Sequence, residues 1–204
     1  GDITDLIENK YESDFLLRLN DAWQKQIDPL VDWKSSTILP QKQFYKEFIE
    51  PLREKSIKCV VIISDAFRYE IGEEFHRKIR ERDKFEAEIN PLLASLPSFT
   101  PLGMASLLPE GSLGISNIAK PLVTHNGVST AGIENRKKVL EKSVGNSRSN
   151  AWQAKEFLDF KHDQTRNIIR DHDIIYIFHN RIDATGDSIK TEDKVFESVE
   201  ETIK

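Results

Sequence analysis

The stretch Cys59-Val60-Val61-Ile62-Ile63 constrains this chain more than any other: five apolar residues in a row, ended abruptly by Ser64-Asp65. A short unbroken apolar run bounded by polar residues is the pattern of a strand covered on both faces, as in the middle of a parallel sheet. A second run, Ile174-Ile175-Tyr176-Ile177-Phe178, ends the same way in His179-Asn180. Between them lie helical spacings, beginning with Phe67, Ile71, Phe75 and Ile79 at every fourth position. Strands separated by helices predict a βαβ succession, an α/β fold whose mainly parallel sheet is sandwiched by helices. Ligands of such sheets gather at the carboxyl ends of the strands, where both runs turn polar.

Upstream of the first run, Ile3, Ile7, Tyr11, Phe15, Leu19 and Trp23 recur at helical spacing and predict a long amphipathic helix with one buried stripe. After a polar break containing Pro29 and Pro40, residues Phe44, Tyr45, Phe48, Ile49 and Leu52 mark a second helix, kinked or restarted at Pro51. Residues 1–55 therefore read as a helical lead-in and 56–204 as the main domain, with the natural protein expected to extend upstream of Gly1. Phe85, Ala87 and Ile89 alternate with Glu86 and Glu88, which predicts a half-buried strand. Thr100-Pro101 opens a helix expected to reach Leu108, and residues 110–131 read as loops with one or two small strands. Helices are expected over 132–144, 151–160 and 162–170. Val195, Phe196, Val199 and Ile203 mark a last one.

Composition removes several classes of function. No apolar run approaches the eighteen or so residues of a membrane span, and Gly1 to Asp5 lack the basic start of a secretory signal. The one cysteine, Cys59, can form no internal disulfide and is expected to be buried, which suits the reducing cytoplasm. A net charge of −5 argues against a broad, non-specific grip on nucleic acid. It leaves a nucleic-acid substrate open, because bound metal ions would add positive charge that the residue count omits. A Walker A loop, a Gly-x-Gly-x-x-Gly turn and a cysteine-based zinc motif are all missing, so a nucleotide-dependent kinase or a dehydrogenase has no support.

Three polar clusters carry the candidate chemistry. In Ser64-Asp65-Ala66-Phe67-Arg68-Tyr69-Glu70, an aspartate just after a buried strand can hold a divalent cation, or it can cap the helix that follows. In Leu96-Pro97-Ser98-Phe99-Thr100-Pro101, Thr100 and Pro101 fit the cap and first turn of a helix, whose free N–H groups can face a phosphate. A threonine there becomes a nucleophile only where a metal lowers its hydroxyl pKa. In His179-Asn180-Arg181-Ile182-Asp183-Ala184-Thr185-Gly186-Asp187, two carboxylates four residues apart can converge on one cation, or can be capping residues of a polar loop. His179 is a secondary candidate as ligand or substrate contact. His76 lies on the helix after Asp65, His125 in a loop, and His162 and His172 in a charged, solvated stretch. Ser129 to Arg136 reads as a capped helix start, with Asn135 and Arg136 lining a substrate groove as the alternative.

Together these three motifs, with the first extended back to Val60 and the second on to Pro109, resemble the PglZ domain over roughly residues 57–204. That family belongs to bacterial phage-exclusion (BREX and Pgl) systems and to the alkaline phosphatase superfamily. The resemblance implies that Asp65 binds one metal ion, that Thr100 is the nucleophile, and that Asp183 and Asp187 bind a second ion. The superfamily has histidine where Asp187 stands, so the all-oxygen pair makes the site harder and leaves zinc and manganese both open. Arg68 and Arg181 are candidates for binding the non-bridging phosphate oxygens, with His179 beside them.

The resemblance also implies what is to be expected of the whole protein. It should be a cytoplasmic, metal-dependent phosphatase or phosphodiesterase, with a phosphoester substrate among which DNA is a candidate, and with other proteins of the defence system as partners. The alternative is a non-catalytic scaffold that holds those partners through the helical lead-in. A downstream Asp-His-Gly segment that completes such sites does not follow Asp187 here. The 204 residues on their own are therefore expected to bind metal poorly and to be catalytically weak.

Overall fold

The computed structural model describes residues 3–82, 84–116, 121–144, 148–188 and 190–204. The chain divides into two compact units, the first ending at Lys34 and the second beginning at Ser35. The first unit is helical: α1 (Ile3–Lys10), a π-helical stretch Tyr11–Leu16 and α2 (Leu17–Ile27). Its apolar stripe is present as the spacing predicts, but none of the three segments buries a residue. Ile3, Ile7, Phe15 and Trp23 are each at least half exposed, and Trp23 meets Trp33 edge to face at 5.9 Å.

The second unit opens with β1 (Leu39–Pro40) and a helical passage from Gln41 that ends in α3 (Glu50–Glu54), restarted at Pro51. Tyr45 and Ile49 of this passage, grouped with the lead-in by the sequence reading, are buried in the main core of the second unit. Next come β2 (Cys59–Ser64), α4 (Tyr69–Arg80), β3 (Leu92–Leu93) and α5 (Thr100–Ser106). Three short strands follow, β4 (Leu113–Ser116), β5 (Leu122–His125) and β6 (Val128–Ser129). The chain continues through α6 (Ile133–Val144), β7 (Ser149–Gln153), α7 (Ala154–Asp159) and α8 (His162–Asp171). It ends with β8 (Ile174–His179), α9 (Arg181–Gly186) and α10 (Val195–Thr202).

The fold is α/β, organised on a parallel sheet in the order β2-β8-β7. The two apolar runs of the sequence pair in register, Cys59 with Ile174 through Ser64 with His179. Because side chains alternate along a strand, the sheet has two apolar faces. On one face Val61, Ile63, Tyr176, Phe178 and Ala151 join Val139 and Leu140 of α6, together with Met104 and Leu108. On the other, Ile175, Ile177 and Trp152 are covered by Phe157, Phe160 and Ile168 from the α7–α8 region. Helices thus sandwich the sheet, as the alternation of strands and helices predicts.

Two expected elements differ. Residues 85–90 are not a strand: Phe85 is exposed, and the short parallel pairing in this region joins Leu92–Leu93 to Leu39–Pro40 instead. Alternation alone forms no strand where no neighbouring backbone offers a ladder. Conversely, residues 149–153 are strand rather than the start of a helix, because Ala151 and Trp152 pair with Tyr176 and Ile177. Residues 113–116, 122–125 and 128–129 form an antiparallel sheet on which His125 is buried, its Nε2 2.7 Å from the Pro109 carbonyl. Cys59 is half-buried. Among the described residues no helix is long and apolar enough to cross a membrane.

Candidate active site at the carboxyl rim of the sheet

The β2–β8 ladder ends at the pair Ser64 and His179, and the candidate site begins there. Ser64 Oγ lies 2.8 Å from His179 Nδ1, and the Asp65 N–H donates to the His179 carbonyl at 2.9 Å. The next residue, Ala66, has φ of 57°, the left-handed region that L-residues with a Cβ rarely adopt. This turn brings the Ala66 N–H to Asp65 Oδ1 at 3.1 Å. Asp65 does not cap the following helix, whose N-cap position is held by Arg68. The carboxylate is therefore left at the end of the sheet, free of the usual helix-capping duty.

Thr100 is also relieved of capping. The N-cap of α5 is Phe99, in extended conformation, and no side chain caps the helix. Thr100 instead stands within the first turn, and its Oγ1 donates towards Asp65 Oδ1 at 3.5 Å, the outer edge of hydrogen-bonding distance. Asp65 and Thr100 share a cleft of about 360 Å³, to which Ser64, Ser98 and Phe99 also contribute.

Asp183 and Asp187 lie one helical turn apart, the Asp187 N–H donating to the Asp183 carbonyl at 2.9 Å. They line a second cleft of about 620 Å³ that includes Ala66, Arg68, Ile71 and Val195. The Asp65–Ala66 turn is thus the boundary between the two clefts. Burial raises the Asp183 pKa above the ordinary carboxylate value, and the negative charges of Asp65 and Asp187 raise it further. Asp183 and the two carboxylates that act on it offer hard oxygen donors of the kind that suits a divalent cation, and a cation would relieve the repulsion on Asp183. They are not yet gathered into a coordination sphere: among the described residues no three His, Cys, Asp or Glu side chains stand close enough to hold a metal ion.

The remaining candidates are disposed differently. His179 is held neutral more firmly than usual, because burial and the nearby positive charge of Arg181 both lower its pKa. Arg68 pairs with Glu70 at 3.1 Å, and Arg181 pairs with Glu201, both as largely exposed ion pairs. His172 is not simply solvated: its Nδ1 lies 2.8 Å from the Ile168 carbonyl and its ring meets Trp152 edge to face.

Arg136 is a further cation at this rim, which the sequence reading weighed only as part of a groove. It stands in the first turn of α6, with its guanidinium carbon 4.5 Å from the centre of the Phe178 ring. Its Nε donates to the Thr130 carbonyl at 3.0 Å. Burial lowers its pKa, and the charge of Asp65 opposes that fall. A helix-start segment was the only local signal; Phe178 lies more than forty residues further on.

The chain thus folds as a parallel α/β sheet with carboxylates at its carboxyl rim and a threonine hydroxyl directed at the first of them. The profile of one family, the BREX system PglZ alkaline phosphatase-like domain, matches residues 44–204. This chain belongs to the PglZ family. It is 39% identical over 201 residues to the alkaline phosphatase-like protein BrxZ of Escherichia coli O9:H4 (strain HS), an alignment covering 96% of this chain and 23% of BrxZ. It is 33% identical over 202 residues to the alkaline phosphatase-like protein PglZ of Bacillus cereus (strain H3081.97), covering 99% of this chain and 23% of that protein. The chain thus spans about a quarter of the length of these curated relatives.

Proposed function

We propose that the full-length protein is a metal-dependent phosphoester hydrolase of a BREX-type defence system, with Thr100 as its nucleophile. The observation that carries this reading is the Thr100 hydroxyl, which turns away from capping its own helix and towards Asp65 Oδ1 at 3.5 Å. Asp65 would hold one divalent cation, and Asp183 and Asp187 a second, with ligands from outside these 204 residues completing both spheres. Bound there, zinc or manganese supplies a lowered hydroxyl pKa for Thr100 and positive charge opposite the phosphoryl oxygens.

The other steps belong to the chain's own residues. Asp65 accepts the Thr100 hydrogen bond and so aims Oγ1 into the smaller cleft. Ser64 fixes the His179 ring through Nδ1, and a neutral imidazole can then contact substrate without adding charge. Arg68 and Arg181 would exchange Glu70 and Glu201 for phosphate oxygens when substrate enters. The substrate class is a phosphoester, with DNA phosphodiesters included, and the partners are other proteins of the same system in the cytoplasm. The 204 residues alone should be nearly inactive, since they provide only part of each sphere.

The test uses the full-length protein, a nitrophenyl phosphodiester, and zinc or manganese. Thr100→Ala should abolish turnover, a loss of at least about a hundredfold; undiminished cleavage by that variant would remove Thr100 from the mechanism. A second reading, a scaffold that binds partner proteins, is supported by the apolar stripe on α1 and α2, which is exposed along its length. A full-length protein that stays inactive with either metal but binds other system components through residues 3–27 would favour it.

A further inference from the structure

We propose that Gln41 selects the organic substituent of the phosphoester, an inference that rests on the hydrolase reading and adds a specificity residue to it. Gln41 directly follows β1 and lies ahead of the part of the chain that the family profile matches, which begins at residue 44. The short pairing of β1 with β3 is what brings it to the site. Leu39 and Pro40 run parallel to Leu92 and Leu93, so the residues after each strand emerge at the same end. There the Ser95 N–H donates to Gln41 Oε1 at 3.3 Å. The Ser95 hydroxyl is itself held 2.8 Å from that of Ser106, which is buried in α5.

This bond decides which way the amide faces. An N–H needs an acceptor, so the end towards Ser95 is the carbonyl oxygen and Nε2 is the other. Among the described residues Nε2 has no hydrogen-bond partner, and a Cβ built on Gly103 would stand 3.7 Å from it. Gly103 comes three residues after Thr100, so the two share one face of α5, about 5–6 Å apart. Gln41 and Thr100 line the same cleft. The amide donor therefore stands about one helical turn from the nucleophile, within the span of a substituent carried by a phosphoryl group on Thr100.

The walls of the cleft indicate what that substituent is. Asp65 is the one charged residue among those described around it; beyond Asp65 lie the neutral Gln41, Ser95 and Ser98 and the apolar Phe99, Met104 and Leu107. Such walls suit an uncharged ring-bearing group with an acceptor atom, as in the sugar and base of a nucleotide ester, better than a second phosphate. A volume of about 360 Å³ lies at the small end of the range for ligand sites and holds one such group. A partly buried amide that finds no acceptor keeps its desolvation cost, which counts against esters whose substituent offers none. Because Ser95 already holds Oε1, little rotamer freedom is lost when Nε2 finds its partner.

The experiment compares two diesters on full-length, metal-loaded protein: the nitrophenyl ester of thymidine monophosphate, and methyl nitrophenyl phosphate. Gln41→Glu keeps an acceptor for the Ser95 N–H and loses the donor, whereas Gln41→Met loses both. The ratio of kcat/KM for the thymidine ester to that for the methyl ester should fall roughly three- to tenfold in each variant, chiefly through KM. An unchanged ratio in Gln41→Glu overturns the proposal, as does an unsubstituted protein that prefers the methyl ester. An equal loss on both esters that tracks a lower melting temperature also overturns it, by making the role structural. The hydrolase reading fails separately. If neither ester is cleaved, titration calorimetry with thymidine monophosphate and methyl phosphate reads the same preference. A preference that Gln41→Glu removes would retain this inference and lose the hydrolase; no preference there would overturn both.

Discussion

Strands β2 and β8 lie side by side over six residues, carry almost the same apolar content, and meet different surroundings. Every residue of β8 from Ile174 to Phe178 is buried, whereas β2 alternates. Val61 and Ile63 are buried, but Val60 is 47% and Ile62 66% exposed, although their partners Ile175 and Ile177 are covered. The cause is position. β8 has a strand on each side and helices over both faces, while β2, among the described residues, is an outer strand, and the cover from the α7–α8 region stops at β8 and β7. An apolar run therefore specifies that a strand forms; how much of it is covered depends on what the rest of the chain brings alongside.

The sharpest way to break this comparison is to shorten one side chain on each strand. Ile175→Ala should cost about 2–5 kcal/mol in urea melts of this chain, whereas Ile62→Ala should cost less than about 1 kcal/mol. Equal losses would mean that the outer strand is covered in solution after all. A smaller effect is expected from Tyr176→Phe, which removes the hydroxyl that donates to the Leu107 carbonyl at 2.9 Å. That loss should be about 1 kcal/mol, with no counterpart on β2 at Val61, and the same melts measure it.

The smallest effect concerns the polar ends of the two strands. His179 has its pKa lowered below 6.5 by burial and by Arg181, so the folded chain takes up its proton less readily than the unfolded chain. The stability this confers is fully present above the unfolded value of 6.5 and is lost as pH falls through the lower folded value. An NMR titration should place the His179 midpoint below 6.5, and Arg181→Ala should move it upward. A midpoint at or above the ordinary value would show that Ser64 and the end of β8 do not shelter the ring.

What was legible in the sequence followed from how local each determinant is. The strands β2 and β8 announce themselves by unbroken apolar runs, and the polar residues after them mark the rim. Strand β7 does not: Ser149-Asn150-Ala151-Trp152-Gln153 has two apolar residues and runs into a helical spacing, and it becomes a strand because β8 offers it a ladder. Phe85 to Ile89 shows the opposite case, a fitting alternation without a neighbour to pair with.

Within the candidate site, the proximity of Asp183 and Asp187 follows from one helical turn, and that of Asp65 from the strand end. The geometry of Thr100 does not follow from its sequence, since Thr-Pro reads as a cap and the cap is Phe99. Nor can spacing show that Glu70 and Glu201 neutralise two arginines, or that Phe178 supports a third.

The left-handed Ala66 has a consequence for how firmly Asp65 is aimed. Holding an alanine at φ of 57° costs roughly 1–2 kcal/mol that a glycine would avoid. The amide of that same residue donates to Asp65 Oδ1 at 3.1 Å, so the backbone cost falls at the very link from which the carboxylate leaves the sheet.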